Sequence, residues 1–276
     1  MSCRDWMLTL VVLWLASPDA ALAATFGSRA SAGIEPADGG AVVAVTNELI
    51  DVRPTTTWAW LADGAGSAAA GTPFGSNHAA AISAPGASSH AASLWSETYT
   101  ITSLWGATGS AAVSFELMFA GVLDAGSSAG GSAQMTLRAL TGTGEDAADP
   151  LLPGEVAGNA EVSFLESCAE ASASCSSEPV PTRGALGLET GFEYGAPFRF
   201  AMLLETRAAD GGRADFAPSA WLERILLPDG AVLRSASGWE YGDVEARVPE
   251  PGTIWLLALG LAACGGRGAR RRRAEA

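Results

Sequence analysis

Residues 24–247 predict an all-β fold, an antiparallel β-sandwich of jelly-roll type, and three observations carry that prediction. Apolar and polar residues alternate with period two in segment after segment, which puts successive side chains on opposite faces of a strand. The segments are short and are separated by Gly- and Pro-containing turns. No long stretch shows the three-and-four spacing of an amphipathic helix. Strands with one apolar and one wetted face bury the apolar one by stacking sheet on sheet. With 276 residues, the chain is long enough for one sizeable domain.

The elements follow in order. In "TTTWAWLA" a Thr-rich strand carries Trp58 and Trp60. Residues 62–93 are rich in Ala, Gly and Ser and read as an irregular surface loop. "TYTITSLW" is a second Thr-rich strand. In "AAVSFELMF", Val113, Phe115, Leu117 and Phe119 share one face, with Ser114 and Glu116 opposite. In "SAQMTLRAL", Ala133, Met135, Leu137 and Ala139 alternate with Ser132, Gln134, Thr136 and Arg138. Residues 141–160 read as a long loop within a single domain. In "PFRFAMLLET", Phe198, Phe200, Met202 and Leu204 alternate with Arg199 and Glu205. "WLERILLPDGAVLRSASG" reads as two strands joined at Pro228-Asp229-Gly230, residues with a clear turn preference.

The two ends differ from this middle. "MSCRDWMLTLVVLWLASPDAALAATF" has a cation, Arg4, then an apolar core from Trp6 to Ala16, a break at Pro18, and small residues at Ala21 and Ala23. That is the three-part secretory pattern, with cleavage after Ala23 and residues 1–23 as signal peptide. Its core is well short of the ~20 residues a bilayer span requires.

At the other end, Pro249 and Pro251 flank Glu250, and proline favours extended backbone with no donor of its own. Thr253–Gly266 carries no charge. As a helix, its fourteen residues reach only about 21 Å against a hydrocarbon core of ~30 Å. Arg267, Arg270, Arg271, Arg272 and Arg273 follow, and arginines beside an apolar helix hold that end in the cytoplasm. A short span behind a proline motif suits a temporary tether. The ordered triple of Val-Pro-Glu-Pro, apolar helix and arginine cluster resembles the PEP-CTERM sorting signal of Gram-negative bacteria. The resemblance covers residues 248–276. It implies recognition of Pro249-Glu250-Pro251 by a membrane processing enzyme, an exosortase. It also implies a transient stay in the inner membrane, then delivery to the cell surface or an extracellular polysaccharide matrix. "CGGRG" before the arginines and Ala274-Glu275-Ala276 after them depart from the usual pattern. The strand ending in Ser235-Ala236-Ser237-Gly238 resembles one that often closes exported domains with this signal.

Charge agrees with export and argues against nucleic acid. The sixteen cationic residues are all Arg, and the formal charge is −14. Residues 25–250 hold 27 acids and 10 Arg, a net of −17, whereas residues 251–276 carry +4. A nucleic-acid binder needs a cationic face to displace counterions. In an oxidising compartment, Cys168 and Cys175 suit a disulfide closing a small loop. Two free thiols are the alternative, and two Cys without nearby His are too few for zinc.

Few residues suggest chemistry. His78 and His90 are the only histidines. No Gly-x-Ser-x-Gly elbow is present, and "GTGE" lacks the lysine of a phosphate loop. Glu116 and Glu205 are on strands, but on faces that read as solvated rather than as a glycosidase pair. Glu145, Asp146 and Asp149 offer calcium oxygens without the spacing of an EF-hand. Trp58, Trp60, Trp95, Trp105, Trp221 and Trp239 divide between core packing and a sugar-stacking platform. The expectation is a non-enzymatic envelope or matrix protein with no cofactor and a structural or adhesive role. The alternative is a secreted carbohydrate-binding module or weak glycan-active enzyme using Trp and carboxylates.

Overall fold

Each of the alternating segments is a strand, and together they form two stacked sheets. The computed structural model describes residues 25–34, 43–51, 55–60, 66–73, 75–144, 152–168, 178–238 and 244–246. The first sheet has the order β2 (Val43–Asp51), β1 (Thr25–Ile34), β6 (Ala87–Ser103), β11 (Pro197–Ala209), β8 (Ser132–Thr143) and β9 (Glu155–Ser167). A short β13 (Ala231–Ser235) also pairs with β6, beyond the end of β1. The second sheet has the order β3 (Thr55–Trp60), β4 (Gly66–Thr72), β5 (Ser76–Ser83), β12 (Arg213–Leu227), β7 (Ser110–Asp124) and β10 (Val180–Glu193). A three-residue β14 (Val244–Ala246) runs parallel to the end of β12, whereas every other pairing is antiparallel. Among the described residues there is no helix, and therefore none long and apolar enough to cross a membrane. The expected signal helix and C-terminal helix lie outside the described residues.

The sheets stack strand over strand, with β1 on β4, β6 on β5 and β9 on β10. Period-two alternation decides which side chains enter the space between them. Val113, Phe115, Leu117 and Phe119 do so from β7, and Ala133, Met135, Leu137 and Ala139 from β8. Phe198, Phe200, Met202 and Leu204 enter from β11. These three alternations are the ones expected from the sequence. Hydrogen bonds also cross the gap. Thr72 Oγ1 donates to the Gly27 carbonyl at 2.9 Å, the Asn77 amide to the Met202 carbonyl at 2.5 Å, and Thr141 Oγ1 to Thr190 Oγ1 at 2.9 Å. Each gives a buried donor a partner; left unpaired, it would oppose the packing.

One expected loop is instead largely strand, and a second is shorter than expected. Residues 62–93 contain β4, β5 and the start of β6. Their apolar side chains are almost all Ala, so the period is present but its hydrophobic contrast is small. Ala68, Ala70, Ala79, Ala81, Ala87 and Ala91 are buried, while Ser67, Ile82 and Ser88 on the alternate positions are exposed. Within 141–160, β8 runs to Thr143 and β9 starts at Glu155, leaving only residues 144–154 as connection. The Pro228-Asp229-Gly230 turn is present, with Gly230 at φ 69° and the Ala231 amide donating to the Pro228 carbonyl at 3.0 Å. It joins β12 to β13 across the two sheets rather than within one.

Candidate functional site

The registers place five features at one end of the sandwich. Ser103 at the end of β6 pairs with Ala231 at the start of β13. Ser110 pairs with Glu193, and Leu227 with Ala246. Residues 104–109, 144–154, 194–196 and 228–230 therefore connect strands at this end, and the chain leaves β14 here toward residues 247–276. It is the exit end.

The β6–β7 connection is held in place at its base. The Leu104 amide donates to the Gly230 carbonyl at 2.9 Å, and the Trp105 amide to Ser103 Oγ at 3.1 Å. The Trp105 ring lies against Gly230, where an added Cβ would fall 2.8 Å from ring atoms. A side chain there would clash, and the positive φ already favours glycine. Leu104 and Trp105 nonetheless remain 72% and 62% exposed. Beside them, a cleft of about 310 Å³ opens between β8, β9, β10 and β11. Phe192 and Phe198 line it with Ser110, Thr141, Thr143 and Glu193. Neither histidine lines it, so it holds no nucleophile with a histidine base.

Behind this end a carboxyl is buried in the core. Glu97 follows Trp95 and precedes Tyr99 on the inner face of β6, and it is 1% exposed. Its Oε1 accepts the Thr98 amide at 3.0 Å and the Ser237 amide at 3.3 Å, and Oε2 accepts the Ser237 hydroxyl. A buried carboxyl is tolerable only with such donors. The pairing secures the turn that follows β13. The Ser235–Gly238 run is strand only at Ser235; Ala236 and Ser237 are turn. Sequence reasoning missed Glu97, although its odd position in "LWSETYTI" places it inward with Trp95, Tyr99 and Ile101.

The other candidates are scattered. His78 on β5 and His90 on β6 occupy outer faces of different sheets, so no catalytic pair forms between them. Glu116 and Glu205 are likewise on opposite outer faces, both partly exposed as expected. Glu116 lies 3.7 Å from Arg224. Glu205 Oε1 lies 3.4 Å from His90 Nε2. The close approach of His90, helped by the charges of His90, Arg207 and Arg138, lowers the Glu205 pKa although burial opposes it. Trp95 is fully buried, which removes it from any surface platform, while Trp58 is 57% exposed on the outer face of β3. Trp221 is partly exposed, and its indole N–H donates to Glu223 at 2.5 Å. The Trp60 side chain and Trp239 lie outside the described residues.

At the opposite end, Cys168 is buried and disulfide-bonded. Its amide donates to the Gly131 carbonyl and its carbonyl accepts the Gly130 amide, both at 2.8 Å. Cys175 lies outside the described residues, as do Ala21, Ala23, Glu145, Asp146, Asp149, Pro249, Glu250, Pro251 and the arginines from Arg267 to Arg273. Among the described residues, no three His, Cys, Asp or Glu side chains gather as metal ligands.

Comparison with known proteins locates the strongest functional signal just beyond the last strand. Residues 247–273 match the family model of the PEP-CTERM protein-sorting motif. That motif implies an exported, exosortase-targeted protein delivered through the membrane to the cell surface. No curated protein and no solved structure gives a significant match.

Proposed function

We propose that this chain is an exported, non-catalytic protein of the cell surface or extracellular polysaccharide matrix. Its sandwich plays a structural or adhesive part, and residues 248–276 are a temporary tether that an exosortase processes at Pro249-Glu250-Pro251. The match at residues 247–273, directly after β14, carries the reading. The scattering of His78, His90, Glu116 and Glu205 over two outer faces supports a domain without catalysis. Cys168 in a disulfide suits an oxidising exterior, and residues 24–247 form the exported part after removal of residues 1–23.

Deleting residues 249–276 should release the domain from producing cells into the medium. Fractionation unchanged by the deletion would refute the tether. Intact mass of mature protein from the native host should lack the arginine cluster, and a retained tail would leave a plain membrane-held protein.

Exposed Trp58 supports a second reading, a glycan-binding face on the outer side of the second sheet. Strand neighbours on this face include Ala69 and Ala80, which leave room for a sugar ring to stack. Trp58→Ala should abolish array binding if that face holds glycan, and a blank array with the unaltered protein removes this reading.

A further inference from the structure

We infer that the exit end is a membrane-seating surface: Leu104 and Trp105 dip into the lipid headgroup layer while the tail is still attached. The inference rests on the tether reading above and adds what the folded domain does during that stage.

Chain length sets the first constraint. Only residues 247–252 separate Ala246 from the apolar segment that starts at Thr253, so fully extended backbone lets the two lie at most about 25 Å apart. A sandwich end held that close to a bilayer meets it repeatedly, and the chain leaves from the very end that bears the exposed apolar loop.

The character of that loop sets the second. Leu104–Gly109 contains no charge in a region that is otherwise −17. Leu104 is the most exposed large apolar side chain among the described residues. Trp105 rests one face on Gly230 and leaves the remainder open, so the ring is already fixed in place before any contact. Tryptophan, with an apolar body and one N–H, is enriched at the membrane–water interface. Glu155, Glu193 and Asp229 flank the loop and are exposed. Repelled by anionic headgroups, they confine insertion to the tip and keep the remainder of the domain in water. Seated in this way, the domain holds Pro249-Glu250-Pro251 beside the headgroups, where a membrane-bound processing enzyme acts.

The test uses the full chain, with Cys3→Ser and Cys264→Ser, reconstituted into vesicles of phosphatidylethanolamine and phosphatidylglycerol. An environment-sensitive dye is placed on Thr108→Cys at the exit end or on Ser127→Cys at the opposite end. Lipid carrying a nitroxide near the headgroup should quench the first dye at least about twofold more than the second, as expected for a group at the interface. Leu104→Ser with Trp105→Ser should reduce quenching at position 108 to the level at 127 while vesicle flotation persists. Flotation with equal quenching at the two positions overturns the seating and leaves the tether intact. A full chain that does not float overturns the tether and the seating with it. Shielding at position 108 that arises only when the processing enzyme is co-reconstituted also overturns the seating, in favour of a protein contact. The two labelled positions carry the result without the double variant.

Discussion

The two halves of this core are packed with different materials. Toward the exit end the sheets are separated by rings. Phe115 stacks on Phe200 at 4.4 Å, and Trp95 meets Phe200 edge-on at 5.7 Å. Tyr99 and Phe192 each approach Phe198, at 6.0 and 6.2 Å. In the other half the inward side chains of β1, β4 and β5 include Ala30, Ala32, Ala68, Ala70 and Ala79. Phe26 on β1 and Phe216 are aromatic as well, and Phe216 fits because Gly121 beneath it has no side chain: an added Cβ would lie 2.3 Å from the ring. A buried methyl contributes about 0.8 kcal/mol where a large side chain contributes about 1.5–3. The alanine half therefore depends more on close approach, cross-sheet hydrogen bonds and secured turns. At its end Asp210 Oδ1 accepts the Gly86 amide at 3.0 Å, and Asp124 Oδ1 accepts the Gly126 amide at 2.8 Å. The aromatic half has the larger apolar reserve and ends in the exposed Leu104–Trp105 loop and a cleft. Stability is concentrated inside the end whose surface is left free for contacts.

The largest expected effect tests the aromatic half. Trp95→Ala removes the ring that packs against Phe200 and leaves a cavity between two stiff sheets, at an expected loss of about 3–5 kcal/mol. Urea denaturation should show the midpoint fall with little change in slope. A loss no larger than that of an ordinary surface substitution would mean the ring cluster does not hold the sheets.

Overpacking is the matching test in the alanine half. Ala79 pairs with Ala70 and Phe216 within its sheet and is 1% exposed. Ala79→Leu adds volume at a fully buried position between the sheets, at an expected cost of about 1–3 kcal/mol. If the variant gains stability, the sheets there are not in close contact and the contrast between the halves disappears.

This contrast also explains what could be read from the chain. Alternation was plain where large side chains alternate with polar ones, so β7, β8 and β11 and their inward faces were legible from residues 111–119, 132–140 and 197–206. It was muted where Ala faces Ala or Ser, so β4 and β5 were mistaken for loop. Ala69 and Ala80 point outward and Ala68 and Ala79 inward, and composition does not distinguish them. Strand pairing does, and pairing is a long-range property. Glu97 was legible by position but hidden by chemistry, because a carboxylate in an alternating strand is ordinarily assigned to water. The exit end was not legible at all. The nearness of Leu104, Gly230 and Ala246 arises from three strand ends that meet only in the folded sandwich. The sorting motif needed no folding to be recognised, since its order of proline pair, apolar run and arginines is wholly local.

The smallest expected effect separates the halves by pH. His90 and Glu205 are on the outer face of the alanine half, and the close approach of His90 holds the Glu205 carboxyl below its usual value of 4.5. A carboxyl with a depressed folded pKa stabilises the fold above its unfolded pKa, and that contribution disappears as pH falls through the folded value. Both side chains are about one quarter exposed, so solvent screening limits the contribution to about a few tenths of a kcal/mol. General loss of acidic self-repulsion also changes stability in this range, which makes the difference between variants the quantity to measure. Between pH 6 and pH 3.5, the unaltered protein should lose slightly more stability than Glu205→Gln, and the gap between them should narrow as pH falls. A gap constant across that range would mean that Glu205 takes no part, and that the alanine half is held without this ion pair.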